Sequence, residues 1–422
     1  MNQWLVKISL FINYFVFAIL LNSVGTVILQ VQNSYGVSAA QASVLEAFKD
    51  LPIAITSFLV ASFLTRIGYK RSMQIALALV ALACLLMPQL PAFWMTKALF
   101  AATGIGFALT KVSVFATLGL VTRTKEDHAS FMNFLESFFM VGILSGYFIF
   151  SAFVSDTEAS STQWLNVYYA LAALSFAALL LLSLARLDES SVHPAVARPL
   201  AEDFAEMIRL CARPLVLVFI ISAFLYVLIE QSIMSWLPTF NSRILHLSAS
   251  LSIQMASILA ASTALGRFTA GIVLRRFNWF TVLVTSLVIA AVLVLVALPL
   301  TRNVGTAEVS TWGSAPLAAF VFPLIGLCLS PIYPAINSVI LTALPLRQHA
   351  PMAGLIVVFS ALGGTTGSLI TGQLFQHFGG TTAFYFSLAP IICLTLALYQ
   401  LRRQAAIAAR AASDASAAAQ PA

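Results

Sequence analysis

Long apolar runs separated by short polar breaks organise the whole chain. Twelve stretches approach the roughly 20 apolar residues that a membrane-crossing helix needs. They run Ile8 to Val31, Ala42 to Leu64, Ser72 to Met87, Met95 to Leu120, Phe131 to Val154, Trp164 to Leu184, Leu215 to Phe240, Ser248 to Leu274, Phe280 to Leu298, Pro316 to Leu344, Met352 to Phe378 and Thr381 to Leu401. The first is too long for the apolar core of a signal peptide and no clear small-residue cleavage site follows it. It reads as an uncleaved first span.

The polar breaks set the orientation. If the spans alternate from an N-terminus placed inside, sixteen of the 22 Lys and Arg residues fall on the inner side. Three (Lys97, Arg243, Arg302) fall outside, and three (Lys49, Lys111, Arg267) fall within spans. Basic residues concentrate on the cytoplasmic side of membrane proteins, so both termini are expected there. The longest polar stretch, Arg186 to Arg213, divides the spans six and six. The expected organisation is a six-helix half over 1–185, a cytoplasmic linker over 186–213, a second half over 214–401 and an Ala-rich tail over 402–422 that is disordered or a frayed helix. Equal halves suggest an internal repeat. Span two ends in Thr65-Arg66-Ile67-Gly68-Tyr69-Lys70-Arg71 after Ala61, and span eight ends in Arg275-Arg276-Phe277-Asn278-Trp279 after Gly271. Each is a small residue, a helical turn and a basic turn, offset by 210 positions.

Composition narrows the class. The chain is 60% hydrophobic and 9% charged, against roughly 25% charged in soluble domains. A soluble enzyme, a nucleic-acid binder and a disordered protein are excluded, and the net charge of +7 is mostly the topology signal just described. Cys84, Cys211, Cys328 and Cys393 sit at wide spacing in or beside apolar runs, without a disulfide or metal pattern. No G-x-x-x-x-G-K-[ST] loop is present for ATP, and no G-x-S-x-G, H-E-x-x-H or C-x-x-C motif for catalysis. The expectation is neither an enzyme nor a holder of a cofactor or metal.

The span pattern and the basic turns resemble the major facilitator superfamily. Its loop between spans two and three reads roughly G-x-x-x-D-R-x-G-R-K. Arg66, Gly68 and Lys70-Arg71 match it, while Thr65 replaces the acid and Ala61 the glycine. The resemblance implies an all-α integral membrane fold of twelve transmembrane helices in two six-helix pseudo-symmetric halves. It also implies a gating role for Arg66, Gly68, Lys70 and Arg71, and for the repeat's Arg275 and Arg276. Plain anchoring on the positive side is the other reading of these charges.

Three further runs resemble the fucose/hexose–proton symporter family. Phe224 to Ile233 in span seven is similar to "FLYVGAEVSI", Asn133 to Gly142 in span five to "NLSQAFNGIG", and Ser330 to Ser338 in span ten to "SIMFPTIFS". The run Glu136-Ser137-Phe138-Phe139 also resembles the related TsgA-like inner-membrane proteins. Two positions depart. Asn22 matches the span-one Asn, but Gly25 stands where that family has an acid, and Leu109 stands where it has a span-four Glu, with Lys111 following. Neither acid is carried over to this chain. The resemblance implies a bacterial inner-membrane monomer whose partners are the bilayer, a small-molecule substrate and protons, with no nucleic acid.

Ionisable residues inside a membrane are costly and are functional candidates by default. Glu230 lies about sixteen residues into span seven, roughly 24 Å at 1.5 Å per residue. The helix is expected to break just beyond it, where Trp236 and Pro238 follow. Glu230 either bonds a hydroxylated substrate and carries a proton, or is a structural acid. Glu136 is placed one to two turns into span five, and Lys111 near mid-membrane in span four. They read as a pair broken by substrate or proton, as an anion site at Lys111, or as a static pair. Glu46, Lys49 and Asp50 share one face of span two by their i,i+3 and i,i+4 spacing. They either line the outer mouth and relay protons or lie at an interface. Arg267 reads as snorkelling or bracing a gate, with substrate binding as the other reading.

Asn22, Lys111, Asn133, Glu136, Tyr226, Glu230, Gln231, Trp236 and Asn337 form the expected substrate set, supplying amides, charges and aromatic faces for a sugar. Glu230, Glu136, Glu46 and Asp50 form the expected proton-coupling set. The functional expectation is proton-coupled uptake of a small polar solute, a monosaccharide or related metabolite, by alternating access. Antiport efflux of a drug, siderophore or other metabolite is the alternative. Against it, Gly142 and Gly146 are followed by Tyr147 rather than the Pro of drug antiporters.

Overall fold

The computed structural model describes residues 2–121, 125–185, 187, 189, 200–305, 307–345 and 348–418. Eleven helices among them are long and apolar enough to cross a membrane. Val44–Ile67, which carries Glu46, Lys49 and Asp50, completes twelve. Backbone polar groups find no partners in lipid, so spanning segments must satisfy them internally as helices.

Several spans are interrupted, and in three of them the interruption has a local reason. The first is Asn2–Asn22 followed by Val24–Tyr35. At the break, Asn22 Nδ2 donates to Ala18 O at 2.8 Å and Ser23 Oγ to Leu20 O at 2.8 Å. The seventh is Pro214–Met234 followed by Leu237–Ile244, because Pro238 has no N–H to continue the ladder. The tenth, expected as one apolar run, is divided into Ala318–Val321, Phe322–Leu324, Ile325–Leu329 and Ile332–Ala343. Pro323 and Pro331 account for its interruptions.

Two boundaries differ from the sequence expectation. Span five begins at Lys125, six residues before the apolar run, so Glu136 stands eleven residues into its helix rather than one or two turns. The last helix, Leu388–Ala418, runs past the expected span end at Leu401 and through most of the tail, the helical one of its two expected states. Alanine has the highest helix propensity and extends a helix that is already nucleated. In the linker, Glu202, Asp203 and Glu206 lie on an amphipathic helix, Leu200–Cys211, that buries Met207 and Leu210. Most of 186–199 and the last four residues lie outside the described set.

The basic turn after span two is a clasp onto the end of span six and the start of the linker. Gly68 has φ of 91°, a left-handed region open to glycine. Lys70 N donates to Glu189 Oε1 at 2.7 Å, and Lys70 Nζ to Ala185 O at 2.7 Å and Ser183 O at 3.0 Å. A cation on the final carbonyls of span six complements that helix's dipole. Arg71, Arg275 and Arg276 are exposed. The Arg66 side chain lies outside the described set.

The seam between the halves is sealed on the side away from the termini. Arg243 donates to Asn33 Oδ1 at 3.0 Å, Ala40 N to Gln376 Oε1 at 3.0 Å, and Ser250 N to Asp156 Oδ1 at 2.8 Å. Gln254 donates to Ser151 Oγ at 3.2 Å. Every cross-half hydrogen bond among the described residues lies on this side or just beneath it. Small residues permit the approach. A Cβ on Gly25 would stand 2.9 Å from Met234 O and 3.0 Å from Ser235 O, and one on Gly372 would meet Ser43 and Ala39.

Candidate functional site

Directly on the terminal side of the two helix breaks, spans one, five, seven, eight and ten enclose a cavity of about 250 Å³. Both halves contribute. Asn22 comes from span one, with Glu136, Phe139, Met140 and Ile143 from span five. Glu230, Gln231, Ile233 and Met234 come from span seven, Leu259, Ala260, Thr263 and Arg267 from span eight, and Gly326 and Leu329 from span ten. Glu136 and Arg267, on opposite halves, are exposed, so the cavity opens away from the sealed end.

Glu230 is half-buried and held in place. Tyr226, one turn earlier, donates its hydroxyl to Glu230 Oε1 at 2.7 Å. The Tyr226 ring stacks on Tyr333 of span ten, with centroids 5.5 Å apart and planes at 24°, and Tyr333 Oη lies 2.8 Å from Ser360 Oγ of span eleven. Tyr226 therefore orients the acid rather than lining the cavity. Gln231 follows Glu230 into the wall.

Span eight shows the cavity one helical face, since Leu259, Thr263 and Arg267 recur every fourth residue. Arg267 forms neither a hydrogen bond nor an ion pair among the described residues. Sequence reasoning favoured snorkelling or bracing over substrate binding for Arg267 and passed over Thr263 and Phe139. The small and polar stretch Ser262-Thr263-Ala264-Leu265-Gly266-Arg267 was the signal, because its period of four puts Thr263 and Arg267 together.

Lys111 and Glu136 form no ion pair. Lys111 is exposed, with Nζ 5.7 Å from the Phe107 ring centroid, and within Coulombic reach of Glu136. The static pair considered from sequence is not made in this state.

Glu46, Lys49 and Asp50 do not line a mouth. They are 0%, 6% and 8% exposed. Lys49 Nζ is ion-paired to Glu46 and lies 3.4 Å from Asp50 Oδ1. The cluster is pressed across the seam. Ser235 Oγ, at the break in span seven, donates to Glu46 Oε2 at 2.8 Å and lies 3.4 Å from Gln231 Oε1. Gly364 of span eleven faces Asp50, where a Cβ would meet Oδ2. A polar path, Gln231 to Ser235 to Glu46, thus joins the cavity to the buried cluster.

Two expected substrate residues stand elsewhere. Trp236 is fully buried, donates to Ser368 Oγ at 3.2 Å and packs on Phe375, so it supports the helix break. Asn337 lies one turn past Tyr333, outside the cavity wall. The Asn133 side chain lies outside the described set. The structure brings Asn22, Glu136, Glu230 and Gln231 together. Among the described residues, no cluster of His, Cys, Asp or Glu could hold a metal.

A twelve-helix fold in two halves around a central polar cavity defines a membrane transporter. The chain belongs to the Major Facilitator Superfamily, whose family model matches residues 10–322. Solved structures share the fold. A bacterial homologue of the human lysosomal transporter Spinster is 14% identical with a TM-score of 0.73, over 97% of each chain. The D-xylose–proton symporter is 13% identical with a TM-score of 0.73, over 95% of this chain and 97% of that one. The transporter FucP in its outward conformation is 16% identical with a TM-score of 0.59, over 96% and 99%. No curated protein sequence matches the chain.

Proposed function

We propose that the protein is a proton-coupled secondary transporter that takes up a small polar metabolite of monosaccharide size by alternating access across a bacterial inner membrane. The observation that carries this reading is the cavity itself. It lies at the seam, draws carboxylates from both halves (Glu136 and Glu230) and is sealed on one side. The basic residues support a cytoplasmic placement of the open side, which makes this an inward-facing state. Protonation of Glu230 or Glu136 removes a charge facing the opposite half and lowers the cost of closing a dry cavity around the solute. Glu46 and Asp50 are the second acidic group on the path. The likeness to a D-xylose–proton symporter is in keeping with this reading. At about 30 Å³ per water, the cavity holds roughly eight waters, the bulk of a six-carbon polyhydroxylated solute.

The test uses right-side-out vesicles and an external pH electrode, with D-xylose, D-glucose and D-glucuronate added singly. Symport predicts solute-dependent external alkalinisation that Glu230→Gln abolishes. External acidification would mean antiport and export. Unchanged alkalinisation in Glu230→Gln refutes its coupling role.

A further inference from the structure

Arg267 is the cavity feature that neutral-solute transport does not use. We infer that the cavity takes a small hydroxylated monocarboxylate, with its carboxylate on the Arg267 guanidinium and its hydroxyls towards Glu230, Gln231 and Asn22. This inference rests on the proton-coupling reading above and specifies its substrate class.

Three observations carry it. First, Arg267 lies on the cavity face of span eight and has no hydrogen bond or ion pair among the described residues. A charged side chain in a membrane interior is ordinarily paired with another charge or with backbone carbonyls. An arginine fork left open towards a cavity is complementary to a planar oxyanion, which it binds through two parallel bonds. A neutral sugar would leave the charge uncompensated when the cavity closes.

Second, the charges balance only with an anion. The wall carries Glu136, Glu230 and Arg267, and Lys111 lies within Coulombic reach of Glu136. These four sum to zero when all are ionised. Once a coupling proton neutralises one acid, the site carries one positive charge, and a monoanion restores neutrality. Proton and anion then enter together, and the loaded cavity closes without net charge. A neutral hexose would close the cavity around a charge, and a phosphate ester with two charges would overshoot.

Third, the acid opposite is already oriented. Tyr226 occupies Glu230 Oε1, so Glu230 presents its remaining acceptor sites to a donor. Hydroxyl groups supply that donor and a bare carboxylate does not. The ligand therefore needs hydroxyls as well as its acid.

The experiment compares ligands that differ at one carbon. D-Glucuronate and D-galacturonate are titrated against D-glucose and D-galactose, with D-glucose 6-phosphate as a third charge state. The purified full chain is used and tryptophan fluorescence is the equilibrium readout, without a pH gradient. At least one uronate is expected to bind at least tenfold more tightly than its neutral counterpart and than the phosphate ester. Arg267→Gln is expected to weaken that uronate at least tenfold more than it weakens the matching hexose. Arg267→Lys, which keeps the charge but loses the fork, should fall between and guards against a folding defect in the first variant. Equal binding of uronate and hexose, no uronate binding, or undiminished uronate binding by Arg267→Gln overturns the inference. Failure of the coupling reading appears separately, as solute-dependent proton flux that survives Glu230→Gln.

Discussion

Removing the Lys49 amine is the sharpest test of how the seam is held. Lys49 is 6% exposed between Glu46 and Asp50, ion-paired to the first and 3.4 Å from the second. At an effective dielectric of about 20, unit charges 3.4 Å apart attract by about 5 kcal/mol. Breaking a buried pair by deleting one partner typically costs about 3–5 kcal/mol, because a charge is left without compensation. Lys49→Met leaves two buried acids one helical turn apart. The cost falls on the closed seam, since Ser235 and Gly364 from the opposite half keep water from this cluster only while the seam is shut. A penalty of about 3 kcal/mol shifts the open-to-closed ratio by roughly a hundredfold. Spin labels at exposed Thr157 and Glu308, in opposite halves on the sealed side, should show a longer distance become the major component. Lowering the pH should restore the short distance, because protonating either acid relieves the repulsion. The triple change Glu46→Gln, Lys49→Met, Asp50→Asn should restore it at every pH. If Lys49→Met leaves both the distance distribution and the melting temperature unchanged, the cluster does not latch the seam.

Two further changes probe the neighbourhood. Gly25→Val should separate spans one and seven, because any Cβ there meets Met234 O and Ser235 O at about 3 Å. Overpacking typically costs about 1–3 kcal/mol, and the Thr157–Glu308 distance should lengthen without the pH rescue expected of Lys49→Met. Tyr226→Phe removes a hydrogen bond to a carboxylate worth about 1.5–3 kcal/mol while keeping the ring stacked on Tyr333. Solute-driven proton flux should fall about tenfold with little change in melting temperature, and an unaltered flux would show that Tyr226 does not position Glu230.

The architecture was legible because hydrophobic length is a local property of the chain. The break in span seven was legible as well, since Pro238 lacks a donor wherever it sits. Burial across the seam was not legible. The spacing of Glu46, Lys49 and Asp50 puts them on one face of a helix, but only tertiary packing shows that this face meets Ser235 and Gly364. Trp236 illustrates the converse, an amphipathic ring suited to a sugar but spent on Ser368 and Phe375. For Arg267, its position near the helix end favoured snorkelling or bracing over substrate binding, and only helical phase shows that it faces the cavity.

Gly25 joins these strands. From sequence it marks a loss, the absence of an acid that the fucose symporters carry in span one. In the structure its missing side chain is what lets the break of span one seat against the break of span seven. An aspartate there could not be accommodated without parting the two helices. Charge that cannot sit at position 25 is found instead one helix away, at Glu46 and Asp50, and across the cavity at Glu230. Ser235 connects the two, since its hydroxyl reaches Glu46 and lies beside Gln231. Opening the seam must break that contact and wet Glu46, while closing it remakes the contact next to the cavity. Under the proposed proton coupling, a proton taken up by the wetted cluster would be tied to the same movement that presents Glu230 and Arg267 on the side away from the seal.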